Sequence, residues 1–265
     1  MPSTSLISSI QRGLQVLEAF TPASPRMRLQ EVVNRTGLPK VTVLRFLRTL
    51  AALKYITYEG DTKLYALSPR VMSLGYTALS GMDVRKVALP FLEQLSEMVG
   101  QNVNLGILDG TEIVYVERIK KKQILNIDLH VGSRLNAYNS SIGQVILAFL
   151  DEVERDSIVK ELLRDPEIAI LAGPRGKVLD QKLEEVRMKG YALDDEAYVA
   201  GVRAIAAPVF NHGGVVDAGI NIPVFSHMVS LGDLLEKCLQ PLLETADRVS
   251  AARGFLKSEM MERSL

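Results

Sequence analysis

Residues 29–55, LQEVVNRTGLPKVTVLRFLRTLAALKY, constrain this chain more than any other stretch. Residues 29–36 read as a helix that stops at Gly37, where a residue free to take positive φ ends a helix without steric cost. A second helix opens at Pro39, since proline at a first helical position gives up a donor that would be unpaired anyway. Within it Val43, Phe46, Leu47 and Leu50 fall at i, i+3, i+4 and i+7, one apolar stripe of a 3.6-residue helix. The other face projects Lys40, Thr42, Arg45 and Arg48, with Val41 and Leu44 beside them. Two helices joined by a glycine turn, the second one basic on its outer face, describe a helix-turn-helix shaped for the major groove of DNA.

The flanking residues extend that reading. Residues 56–58 and 63–67 are strand-like around a turn of Glu59, Gly60 and Asp61, which makes the unit a winged helix and places Lys63 in the hairpin to touch a phosphate. Ahead of it, Ser9 caps a supporting helix to about Phe20, with Ile10, Leu14, Leu17 and Phe20 on one face. The loop TPASPRMR between them carries Arg26 and Arg28, which suit phosphate contact or open solvent equally, and Arg28 is counted among the expected DNA contacts.

The formal net charge is zero, which taken alone argues against nucleic acid, but the average hides a split. Residues 1–70 hold ten Lys or Arg against four acids, a net of +6, and the remainder carries −6. The positive field is confined to the segment that resembles a DNA reader. A single cysteine, Cys238, excludes an intramolecular disulfide and a cysteine-rich zinc site, and fits a reducing cytoplasm. The first residues lack the basic start and long apolar core of a signal peptide, and no run of about 18 apolar residues offers a membrane span. A soluble cytoplasmic protein is expected.

Beyond the wing, Ser68-Pro69 starts a linking helix over residues 70–80, and Asp83 caps a longer one to about Val99 that buries Val87, Phe91, Leu95 and Met98. The period then changes: NVNLGILDG and TEIVYVERI form a hairpin across Asp109-Gly110, followed by a third strand over residues 124–129. In AYNSSIGQVILAFL, Asn139, Ser140 and Ser141 are all competent caps of a helix whose buried face is Ile142, Val145, Ile146 and Phe149. Helices over 153–163 and 178–189, strands over 191–193, 203–210 and 215–222, and a closing helix over 229–254 complete an α+β domain, an antiparallel sheet with packed helices. The expected division is 1–69, winged helix-turn-helix; 70–82, linker helix; and 83–265, the α+β domain.

Two places in the second domain suit a ligand. The start of the Ser141 helix offers unpaired backbone donors, and Asn139, Ser140 and Ser141 add side-chain donors. Asp194 and Asp195 point to opposite sides of an extended segment, so one acid accepting from a ligand hydroxyl fits better than a paired-carboxylate mechanism. The three histidines lack metal-ligand spacing, and no G-x-S-x-G, G-x-G-x-x-G or P-loop occurs, so no catalytic residue, cofactor or metal is expected.

At these residues the chain resembles the IclR family of bacterial transcription regulators, over essentially all of residues 8–256. The resemblance is carried by IQRGLQVLEAF, TGLPKVTVLRFLRTL, the wing with YALS, SSIGQVILA, GYALDDEAYVAGVRAIAAPVF and GVVDAGINI. It implies a winged helix-turn-helix, a linker helix and a GAF-like domain that binds a small organic, often aromatic, acid. It also implies homodimers, commonly paired into dimers of dimers, on palindromic operators in double-stranded DNA. Its ligand-contacting positions match Ser141, Ile142, Asp194, Ala204, Asn221 and Pro223, with Tyr138, Asn139, Ser140 and Arg203 alongside. Ser141 and Ile142 stand where some members have glycine and alanine, Ala204 where a cysteine occurs, and Asn221 and Pro223 where paired serines occur. In the recognition helix Arg45 is the expected base reader, with Val41, Thr42 and Leu44 near it and Lys40 and Arg48 on phosphates; apolar Val41 and Leu44 favour thymine methyls. Two rivals stay open: a ligand-free architectural DNA-binding oligomer, and an enzyme with a DNA-binding appendage.

Overall fold

The computed structural model describes residues 7–121 and 129–255, and the chain divides between Gly81 and Met82 into two compact units. In the first, α1 (Ser8–Glu18), α2 (Leu29–Thr36) and α3 (Lys40–Ala52) close around Val16, Val32, Val43 and Leu47, all fully buried. Gly37 ends α2 at φ 66°, its N–H donating to the Val33 carbonyl. Pro39 is still extended, at ψ 138°, so it caps α3 and Lys40 is the first helical residue. The stripe on α1 differs from expectation: Ile10 and Leu14 face solvent while Val16, Ala19 and Phe20 enter the core, and the cap position is Ile7 without a side-chain bond.

The hairpin of β2 (Ile56–Glu59) and β3 (Leu64–Leu67) forms as expected, but Lys63 leaves the strand for the turn, at φ 58°. The loop at 21–28 contains a strand, β1 (Arg26–Arg28), paired with β3 from Arg26↔Ala66 to Arg28↔Leu64. Its anchor is Met27, buried in the core between two exposed arginines. α4 (Arg70–Gly81) buries none of its side chains, and Met72, Leu74 and Tyr76 lie exposed.

The second unit is a six-stranded antiparallel sheet in the order β6-β5-β4-β9-β8-β7. Its strands are β4 (Val103–Asp109), β5 (Glu112–Ile119), β6 (Arg134–Asn136), β7 (Ala192–Asp195), β8 (Val202–Phe210) and β9 (Val216–Phe225). The third strand expected at 124–129 lies, but for Leu129, outside the described residues; the described outer partner of β5 is β6. α6 (Ser141–Phe149) and α9 (Lys177–Lys189) pack on one face, and α5 (Asp83–Val99) and α11 (Gln240–Ala252) on the other. α5 buries Val84, Ala88, Leu92 and Leu95, with Val87 and Phe91 half-buried and Met98 exposed, so its core face is turned from the expected one.

α7 (Glu152–Leu162) and a short unexpected α8 (Pro166–Leu171) precede α9. The closing helix expected at 229–254 is instead α10 (Leu231–Leu234), a π stretch at Leu235–Leu239 that buries Cys238, and α11. The backbone stays helical throughout, and Pro241 accounts for the change of register, because it has no N–H to return to the carbonyl four residues back. No helix among the described residues is long and apolar enough to cross a membrane.

Candidate functional site

In the first unit, one open groove between α2, α3 and the hairpin is lined by Arg28, Lys40, Leu44, Arg48 and Lys63. Five of the eight expected DNA contacts therefore converge, four of them cationic. Val41 and Arg45, one turn apart, are exposed on α3 away from this groove's lining, and Thr42 is half-buried. Arg28 also holds the start of α2: its N–H donates to the Glu31 carboxylate at 2.6 Å, so its backbone is fixed while its side chain stays exposed. Gln30 and Tyr58 line the same groove and carried no signal in the sequence beyond their exposure.

In the second unit, strand register assembles a polar row. Asn104 on β4 stands opposite both Arg118 on β5 and Asn221 on β9. The side chains bond in that order: Arg118 Nε donates to Asn104 Oδ1 at 2.8 Å, Asn104 Nδ2 to Asn221 Oδ1 at 2.8 Å, and Asn221 Nδ2 to Ser141 Oγ at 3.3 Å. A cavity of about 190 Å³ opens over this row. Leu129, Leu135, Val199, Val202, Ala204 and Pro223 give it apolar walls; Tyr115, Arg118, Asn139, Ser140, Ser141, Asp194 and Asn221 give it polar ones.

Helix α6 reaches the cavity because the sheet beneath it is thin. Gly106 and Gly219 face each other across β4 and β9, and a Cβ on either would press on Ile142 at 3.0–3.2 Å. Ser140 caps α6, its hydroxyl accepting from Gly143 N at 3.4 Å. The N–H groups of the first helical turn have no intrahelical acceptor by position, so the α6 start remains polar beside Ser141.

Three expected ligand residues lie elsewhere. Ile142 is fully buried against the glycine pair. Tyr138 packs partly buried on the core under α6, its carbonyl accepting from Gln144 Nε2 at 2.9 Å. Arg203 sits on the sheet face opposite Ala204, paired with Asp195 and Glu196 and donating to the Ser226 carbonyl at 3.0 Å. Strand alternation puts consecutive residues on opposite faces, so Ala204 in the cavity places Arg203 outside it.

The cavity's cation is instead Arg118. Opposite Leu105 and Gly106 the register skips Val116, a β-bulge that brings Tyr115 and Arg118 onto one face. The guanidinium lies 5.6 Å from the Tyr115 ring centre. Burial lowers the Arg118 pKa and raises that of the Tyr115 phenol. The freed Val116 carbonyl accepts from Arg85 Nε at 3.2 Å, and Glu117 pairs with Arg85 Nη2 at 2.7 Å, tying the bulge to α5.

Asp194 lines the cavity, 7% exposed, accepting from Ala197 N at 3.0 Å. Burial raises its pKa, and the backbone bonds only partly offset this. The folded chain therefore takes up this proton more readily than the unfolded one, so folding is penalised at neutral pH and the penalty fades as pH falls through the raised range. Asp194→Asn is expected to melt at or above the wild type at pH 7, the gap closing toward pH ~4, near the unperturbed Asp range. Melting curves across that range check it; a variant less stable at every pH contradicts it.

Among the described residues no group of three or more His, Cys, Asp or Glu could hold a metal ion. Residues 9–60 match the family model described as IclR helix-turn-helix domain, and residues 76–251 match Bacterial transcriptional regulator IclR C-terminal. The chain is 31% identical to the Pca regulon regulatory protein of Pseudomonas putida over 244 residues, 91% of this chain and 82% of that protein. It is 30% identical over 249 residues to the p-hydroxybenzoate hydroxylase transcriptional activator of Acinetobacter baylyi, 92% of this chain and 90% of that one. A crystal structure of an IclR family transcriptional regulator from Brucella abortus superposes with a TM-score of 0.76 at 28% identity, covering 94% of this chain and 93% of the other. These relatives regulate transcription and are not enzymes. The chain belongs to the IclR family of bacterial transcriptional regulators.

Proposed function

We propose that this regulator changes its operator affinity when a small organic acid, aromatic in character, occupies the cavity of residues 82–265. The observation that carries this reading is the cavity itself, with polar groups gathered at α6, β5 and β7 and apolar walls between them. Its volume of about 190 Å³ suits one substituted ring, since a cavity of about 150 Å³ accepts benzene. A purely architectural oligomer has no need to bury Asn104, Asn221, Ser141 and Asp194 around an opening. The Acinetobacter relative activates transcription for an enzyme of p-hydroxybenzoate, which points to the same ligand chemistry.

On DNA, Arg45 reads bases with Val41, Thr42 and Leu44 beside it, while Arg28, Lys40, Arg48 and Lys63 hold phosphates. A homodimer, paired as a dimer of dimers, sets two such helices on a palindrome, with half-sites about 34 Å apart or a multiple of it. The exposed Met72, Leu74 and Tyr76 of α4 favour subunit contact along this helix, since apolar side chains grouped on one exposed element mark interaction surfaces. The route from ligand to DNA runs from β5 through Arg85 to α5, the helix that follows α4 in the chain.

A thermal-shift screen of the full chain against aromatic and aliphatic carboxylic acids tests the reading. A ligand at about 100 times its Kd adds ~2.7 kcal/mol, a rise of roughly 5 to 10 °C for a domain of this size. A screen silent for every acid contradicts it.

A further inference from the structure

We propose that Arg118 takes the ligand's carboxylate and Asp194, on the other side of the cavity, takes a hydrogen-bond donor at the ligand's far end, so that the site reads the direction of a hydroxy acid. The proposal rests on the effector reading above and deepens it by assigning the two ends.

The arginines that lie partly buried elsewhere in this unit have counter-ions: Arg85 has Glu117, Arg203 has Asp195 and Glu196, and Arg253 has both oxygens of Asp217 at 2.6 and 2.7 Å. Arg118 is the exception. Among the described residues no carboxylate lies within ion-pair distance of it, and its buried Nη1 has no acceptor at all. A desolvated guanidinium left this way is costly until an anion reaches it, and a carboxylate with two oxygens matches its fork. The relay through Asn104 to Asn221 and Ser141 fixes Nε, so the remaining donors are held in one plane. The Val116 bulge is the backbone feature that turns this side chain onto the cavity face.

Asp194 supplies the opposite sign. It stands on β7 and Arg118 on β5, with β8, β9 and β4 between them in the sheet order. A ligand carboxylate beside Asp194 would meet like charge, whereas a hydroxyl there would donate to it. The two walls therefore select one orientation, with the ring against Leu135, Val202 and Pro223.

The test is titration calorimetry of the full chain with 4-hydroxybenzoate, benzoate and the neutral 4-hydroxybenzamide, on the wild type, Arg118→Gln, Arg118→Lys and Asp194→Asn. The wild type is expected to prefer 4-hydroxybenzoate over the amide by about 10- to 100-fold, the range of a charged hydrogen bond. Arg118→Gln should erase that preference, Arg118→Lys should restore part of it, and Asp194→Asn, which exchanges a charged acceptor for a neutral one, should narrow only the preference for 4-hydroxybenzoate over benzoate. The wild-type comparison of acid with amide needs no variant and stands even where a variant misfolds. Acids bound equally well by wild type and a folded Arg118→Gln, or an amide bound as tightly as its acid, overturn the Arg118 assignment and leave the regulator reading intact. If none of the three ligands binds and the wider acid screen is silent as well, both fall together; acids that bind only from the aliphatic class overturn the hydroxyaromatic ends alone.

Discussion

Gly143→Ala should destabilise the second unit by about 3 kcal/mol or more, at the upper end of overpacking costs, and lower its melting temperature by roughly 6 to 12 °C. A Cβ at this position would lie 2.1 Å from the Ala137 carbonyl oxygen and 2.5 Å from its Cα. Neither atom can yield, because Ala137 is fully buried and its N–H is bonded to the Thr111 carbonyl at 2.9 Å. The helix has to move instead, and with it go the Ser140 cap and the Ser141 bond to Asn221. Scanning calorimetry of wild type and variant checks this, and a melting point within about 2 °C of wild type would show that α6 does not sit this closely on the 137 segment.

The helix itself was legible, because Asn139, Ser140 and Ser141 ahead of an apolar run are a local cap signal. Nothing local marks Gly143, since its constraint comes from the Ala137 backbone, which only the tertiary fold brings near. The winged helix was legible for the same local reasons, through Gly37, Pro39 and the stripe from Val43 to Leu50. β1 was not, because three residues are too short to show a period and its partner, β3, lies some 38 residues on in the chain. The buried faces of α1 and α5 lie about one residue round from the ones the spacing predicts, as both helices have apolar side chains on more than one flank.

The cavity was half visible. Asn139, Ser140, Ser141, Asp194, Ala204, Asn221 and Pro223 line it, and each belonged to a stretch singled out from the sequence. Arg203 lies outside it, since alternation along β8 turns the neighbour of Ala204 to the other face. Arg118 was concealed by the bulge: in a regular strand Tyr115 and Arg118 fall on opposite faces, and only the extra Val116 brings them together. Asn104 carried no local signal, because its role depends on lying between two strands that the chain reaches 14 and 117 residues later.

Arg45→Ala carries the other large expected effect, a loss of about 10- to 100-fold in affinity for the operator with little change on unrelated DNA, the discrimination of one good base contact. Arg45 is exposed on α3 beside Val41, clear of the cationic groove that holds Arg28, Lys40, Arg48 and Lys63. Arg48→Ala, inside that groove, should instead weaken all sequences together and reduce the salt slope by about one. Duplexes enriched from a random pool by the wild type supply the operator. An Arg45→Ala protein that weakens evenly on operator and random DNA would make Arg45 a phosphate contact.

The most direct measurement is operator affinity of the full chain, by fluorescence anisotropy at one fixed salt concentration, with and without a saturating acid from the thermal screen. Coupling between two sites is typically ~1 to 3 kcal/mol, so the Kd should move by about 5- to 150-fold. By reciprocity the acid's own affinity should move by the same factor when operator is present. An acid that binds the cavity and leaves the operator Kd unchanged would contradict the account of this protein as a ligand-controlled regulator.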